Sequence, residues 1–246
     1  MSDSIAVTES ELPALFTQRM AFSLAAATLL LGALSGWALA SADSVLPLPG
    51  VVSGGSLPLW VAEVALIVTI FIAPLMFELD FEIKHTRWLL GRALFAALWQ
   101  GITLSFFLMV ASRVTPIESS RILLSATYLS FAALCLFLTA AALRRYFSAI
   151  SFIWCVALPV ATYFLVELFI FSPGGNKGWS HSTGAPADAL RAATHWILSL
   201  SPPTALMGAL QGALPDGSDF SATVPLIVLG LISAGLAMSI SRSSKI

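Results

Sequence analysis

Residues 58–77 read PLWVAEVALIVTIFIAPLMF, a run with one charged side chain, Glu63, and no alternation of polar and apolar positions. A helix rises about 1.5 Å per residue, so a run of this length covers the roughly 30 Å hydrocarbon core of a bilayer. Only helices and closed barrels satisfy every backbone N–H and C=O in lipid, and barrel strands alternate polar with apolar residues. The run therefore predicts a spanning helix. Five more runs of the same kind lie at 20–41, 93–112, 122–143, 147–171 and 222–241. Pro74, Pro159 and Pro225 fall within or at the edges of these runs, where neighbouring helices can satisfy a freed carbonyl. The predicted fold is all-α, a polytopic membrane protein with one six-span domain over 20–241. A cytoplasmic or interfacial segment, 1–19, precedes it and a short tail, 242–246, follows.

Composition agrees. The 246 residues are 58% hydrophobic and only 10% charged, against about a quarter charged in soluble domains. Twelve Lys and Arg balance thirteen Asp and Glu, so no basic field points to nucleic acid. Cys135 and Cys155 both lie in apolar runs, and each is expected to behave as a small buried hydrophobe. The first 19 residues carry Asp3, Glu9 and Glu11 before their one basic residue, Arg19. A secretory signal begins with positive charge, so the run from Met20 is expected to be a true span.

Lys and Arg set the orientation. With the N-terminus inside, Arg19, Lys84, Arg87, Arg92, Arg144, Arg145, Arg242 and Lys245 face the cytosol, and Arg113, Arg121, Lys177 and Arg191 face out. Eight against four favours that arrangement, and the Arg144-Arg145 pair is its cleanest marker. Both termini are expected at the cytoplasmic side of the cell membrane.

The outer segment 172–221 has internal structure. Gly174, Gly175, Asn176 and Gly178 mark a turn region. Pro186 to Leu200 places Leu190, Ala193, Ile197 and Leu200 on one face and Asp188, Arg191 and His195 on another, which predicts an amphipathic helix. Ser201, Pro202 and Pro203 then read as a stop and restart, with Ser as the cap and Pro in the first turn. A second short helix is expected from Thr204 to Leu214, ended by Pro215-Asp216-Gly217. Neither is long enough to span, so both are expected to lie at, or dip into, the outer surface.

Chemistry-bearing residues are few. Glu63 and Glu167 fall toward the outer ends of their runs. An ionisable group in lipid is costly, so each is either partly hydrated near the headgroups or part of a translocation path or subunit contact. His85, His181 and His195 all fall between runs, which excludes paired haem ligands inside helices. No His-Glu-x-x-His motif, no Gly-x-Ser-x-Gly element and no phosphate-binding loop occurs, so no catalytic residue, metal site or cofactor is indicated. Between the second and third runs, Phe77 to His85 alternates apolar with polar residues. As a helix it spaces Asp80 and Lys84 for an i, i+4 pair, and Arg87, Arg92 and Trp88 lead into the next run. Such a segment either docks a soluble partner or is an interfacial turn with snorkelling side chains.

The layout resembles the six-span permease subunits of type-2 ABC transporters, the mainly exporting class. The likeness rests on the six runs, on Leu198-Ser-Leu-Ser-Pro-Pro-Thr-Ala-Leu206, and on the basic tail Ser241-Arg-Ser-Ser-Lys245. The Ser-Pro segment is similar to one that these permeases carry between spans five and six, within an extracellular re-entrant hairpin. The resemblance implies a second permease copy or paralogue and two ATPase subunits as partners. It also implies that Glu78, Asp80, Phe81, Glu82, Lys84 and Arg87 belong to a coupling segment that receives the ATPase stroke. The family carries a longer second cytoplasmic segment with a Gly-Thr element and a Leu-Leu pair, whereas this chain has Thr86 and Leu89-Leu90 at a compressed spacing. Two other readings of the residues stand beside it: a non-transporting subunit that assembles a membrane complex, and an ion-coupled secondary carrier. The carrier reading needs inverted repeats and broken helices at the midplane, and no convincing internal repeat is found.

Overall fold

The computed structural model describes residues 18–42, 57–77, 86–143, 148–171, 200–212 and 219–243. Each apolar run is helical there. The elements are α1 (Gln18–Ala42), α2 (Leu57–Phe77), α3 (Thr86–Ala111), α4 (Ser119–Leu143), α5 (Ala149–Phe152), a π turn (Ile153–Ala157), α6 (Leu158–Phe171), α7 (Pro202–Gln211) and α8 (Thr223–Ser243). Among the described residues, α2, α3, α4 and α8 are long and apolar enough to cross a membrane. Met20–Gly36 and Ile150–Phe164 are shorter apolar helical stretches.

Packing sorts these helices by depth. Over Leu57–Pro74, 83% of α2 is buried, against 11% of Thr223–Ser241 in α8. The first is an interior helix and the second a peripheral one. Helix α4 is the hub: it pairs most extensively with α3 and also packs on α8, α2 and α7. Its buried residues include Tyr128, Leu129, Ala132, Ala133 and Phe137. Lipid offers no hydrophobic drive between helices, so close approach of small residues carries the association. Gly101 of α3 is such a point, because a Cβ there would collide with the Ser130 side chain and come within 2.8 Å of the Ala126 carbonyl oxygen. The outward faces remain apolar, with Phe22, Leu29, Ile102, Phe106, Leu123, Trp154, Leu231 and Met238 exposed.

Hydroxyl groups along the helices mostly bond to their own helix. The hydroxyls of Thr28, Thr69, Ser125, Thr127, Ser130 and Thr162 each donate to the carbonyl four residues back, at 2.7–2.9 Å. That pattern removes a dangling donor without requiring a partner helix. Other contacts cross between helices. The indole Nε1 of Trp99 donates to Thr28 Oγ1 at 3.1 Å, tying α3 to α1. Cys135 Sγ lies 3.0 Å from Ser233 Oγ and 3.1 Å from the Leu229 carbonyl, tying α4 to α8.

Three sequence expectations change here. The third helix begins at Thr86 rather than 93, so Arg87, Trp88 and Arg92 belong to the helix itself, and Arg92 is only 4% exposed. Cys155 faces outward instead of into the core, while Cys135 is buried as expected. The fifth run is not one regular helix: a π turn separates α5 from α6, and the Leu158 N–H bonds five residues back to Ile153. Pro159 supplies the reason. It has no N–H for the Cys155 carbonyl, and its ring would press on that carbonyl in a regular helix. Widening the turn just before the proline relieves the clash.

Candidate functional site

The most constrained feature is α7 and the residues that hold its ends. Ser201 takes an extended conformation, φ −69° and ψ 125°, and Pro202 and Pro203 occupy the first helical positions. Proline is pre-set for helical φ and lacks the N–H that a first turn leaves unbonded. The Ser201 side chain makes no cap bond to the helix, contrary to the sequence expectation. The two prolines leave little there for a hydroxyl to cap. The Ala205 N–H instead bonds the Ser201 carbonyl at 2.9 Å.

The helix is also shorter than expected, and it is enclosed. It stops at Gln211, where Gly212 adopts the left-handed conformation with φ 78°, rather than running to Leu214. A side chain at φ 78° would be strained, and glycine is not. Every residue from Pro203 to Leu210 is buried. A surface-lying amphipathic helix would leave one face wet; this one is enclosed by α4, α2 and α6. Its ten residues cover about 15 Å, half of a hydrocarbon core.

Two contacts close the far end. Arg121, in the first turn of α4, donates through Nη1 to the Leu210 carbonyl at 3.3 Å and to the Gln211 carbonyl. After the turn, the Phe220 N–H bonds the Gly212 carbonyl at 3.1 Å. The Phe220 ring lies so close to Gly208 that a Cβ there would stand 2.5 Å from it.

Glu63 is enclosed within the bundle at 1% exposure. Partial hydration near the headgroups, one of the two readings open from sequence, does not describe it. Thr204 of α7 is likewise 1% exposed, and Gln100 of α3 is 2% exposed. Among the described residues, Gln100 Nε2 and Ser35 Oγ are buried without a hydrogen-bond partner. A groove of about 580 Å³ lies between α1 and α2, lined by Phe22, Leu30, Leu34, Val64, Phe71 and neighbours. It is apolar and suits hydrocarbon rather than a charged solute.

The other predicted residues divide by position. Ser201, Pro202 and Pro203 form the start of α7 as described. Glu78, Asp80, Phe81, Glu82 and Lys84 lie outside the described residues, and so does the side chain of Arg87. Glu167 belongs to α6, with its side chain outside the described set. The amphipathic stretch before Leu200 and the Arg144-Arg145 turn also lie outside it. Sequence reasoning passed over Arg121 and Phe220. One signal was available for Arg121: a cation in a helix's first turn opposes the dipole there. Comparison with family models, with curated proteins and with solved structures yields no match for this chain.

Proposed function

We propose that the chain is the membrane-spanning permease subunit of an ATP-driven ABC transporter. The observation that carries the reading is the enclosed half-length helix α7, set between the last two long helices and opened by Ser201-Pro202-Pro203. A re-entrant element in that place is what the family resemblance implies. Six spans with both ends cytoplasmic complete the topology, the fifth comprising α5, the π turn and α6. Two such subunits form the path, and two ATPase subunits dock on the segment from Glu78 to Arg87. Closure of the ATPases pushes that segment and shifts the helices between two packings, a bistable change. The apolar groove and outward faces favour a lipid-like or amphipathic cargo.

Affinity purification of the full chain, co-expressed with its neighbouring genes, tests this. An ATPase should copurify at equal stoichiometry and lose association when Asp80, Phe81 and Glu82 are replaced by Ala. A complex without any ATPase, in which those replacements leave function intact, sinks the proposal. A structural subunit is the second reading, and the full enclosure of Glu63 within one chain favours it.

A further inference from the structure

Arg121 carries its charge for a helix other than its own. It is the third residue of α4, where exposed N–H groups give the helix end a partial positive charge. A guanidinium is unfavourable there. At the end of α7 the sign reverses: the last carbonyls lack helical partners and the local dipole is negative. Arg121 reaches those carbonyls, at Leu210 and Gln211. Gly212 is what lets it in, since a Cβ at that position would stand 3.1 Å from the guanidinium. Glu118, just before α4, holds the outer edge of the same guanidinium, with its Oε2 3.4 Å from Arg121 Nε.

The two ends of this contact differ in environment. Met207 and Leu210 of α7 are 3% and 7% exposed, whereas the Arg121 and Glu118 side chains are 37% and 71% exposed. An apolar half-helix is thus seated inside the bundle and fastened at its rim by a partly exposed charge. The other fastening at that end comes from Phe220, through its N–H to Gly212 and its ring against Gly208. The buried side chains Ala205, Leu206, Met207, Ala209 and Leu210 are apolar, and the helix packs against α4, α2 and α6; apolar burial of this kind is non-directional.

We propose that Arg121 is a releasable latch for α7. With the guanidinium on the Leu210 and Gln211 carbonyls, α7 stays seated; when that contact opens, the C-terminal half of α7 leaves its enclosure and presents Met207 and Leu210 to solvent. Glu118, already paired with Arg121 Nε in the seated state, keeps hold of the guanidinium when the carbonyl contact opens. The latch stands whether or not an ATPase partner exists.

Thiol accessibility reads it directly. The full chain, with Cys135→Ser and Cys155→Ser, carries Met207→Cys as the reporter and is reconstituted in nanodiscs, where a charged maleimide reaches both faces. Adding Arg121→Ala should raise the labelling rate about tenfold to a hundredfold, the population change that one charge-assisted hydrogen bond controls. Arg121→Lys should restore most of the protection, because an ammonium keeps the charge and a donor. A second reporter, Leu104→Cys, sits fully buried in α3 and should stay unlabelled in every background. Equal Met207→Cys labelling with and without Arg121 overturns the latch. So does simultaneous labelling of Leu104→Cys, which would make Arg121 a support of the whole fold. Where Arg121→Ala does not accumulate, Arg121→Gln removes the charge at closer volume, and unchanged labelling in that variant refutes the proposal equally.

Discussion

Gly101→Ala is the sharpest test of how this bundle is held. The added methyl meets two obstacles on α4. The Ser130 hydroxyl can rotate away, at the expense of its 2.9 Å bond to the Ala126 carbonyl. The Ala126 carbonyl oxygen itself, 2.8 Å from the new carbon, is backbone and cannot rotate. Overpacking of this kind costs about 1–3 kcal/mol, and a lost side-chain hydrogen bond in a membrane protein adds about 0.6 kcal/mol. The better helix propensity of Ala returns about 1 kcal/mol. The net expectation is a loss of about 0.6–2.6 kcal/mol, since the first two terms exceed the third. Denaturation by SDS in mixed micelles, followed by the fluorescence of the seven tryptophans, measures it. Ser130→Ala removes one obstacle and leaves the other, so the double variant should recover about half the loss, a coupling near 1 kcal/mol. A Gly101→Ala protein as stable as the parent, or more so, would refute the close α3–α4 crossing and the packing argument with it.

Two further outcomes are expected. In detergent, N-ethylmaleimide should modify Cys155 on the native protein and reach Cys135 only after unfolding, because the first faces outward and the second is enclosed between α4 and α8; mass spectrometry counts the adducts, and native modification of both would contradict that placement. Glu63→Gln keeps volume and replaces the carboxyl by an amide, so it should alter stability by less than about 1 kcal/mol, whereas Glu63→Lys places an ammonium at a site with 1% exposure and should cost about 3 kcal/mol. The same micelle unfolding assay decides, and equal effects of the two would show that the side chain is not enclosed as described.

Much of the helical layout was legible in the residues. Long apolar runs with charges swept between them leave few alternatives in lipid, and α1, α2, α4 and α8 begin and end within about three residues of the expected bounds. The start of α3 was misplaced because hydropathy falls at Arg87 and Arg92, while helical hydrogen bonding continues through them. The π turn escaped for a related reason: Pro159 announces a disturbance, but the local backbone decides whether it becomes a kink, a break or a widened turn. In the candidate site, Ser201-Pro202-Pro203 marked the restart of the chain correctly. The same residues could not say that α7 is buried on every side, because burial depends on what α2, α4 and α6 bring to it.

The sequence by itself determined that this chain is built for lipid, that its backbone is helical, and that a short helix restarts at Pro202. Those follow from hydropathy, from the need to satisfy backbone groups without water, and from the fixed φ of proline, all local properties. Only the tertiary structure decided that α7 is enclosed, that Glu63 is buried within the bundle, and that Arg121 spends its charge on a helix distant from it in sequence. These are relations between segments, set by which surfaces meet, and no window along the chain contains both partners.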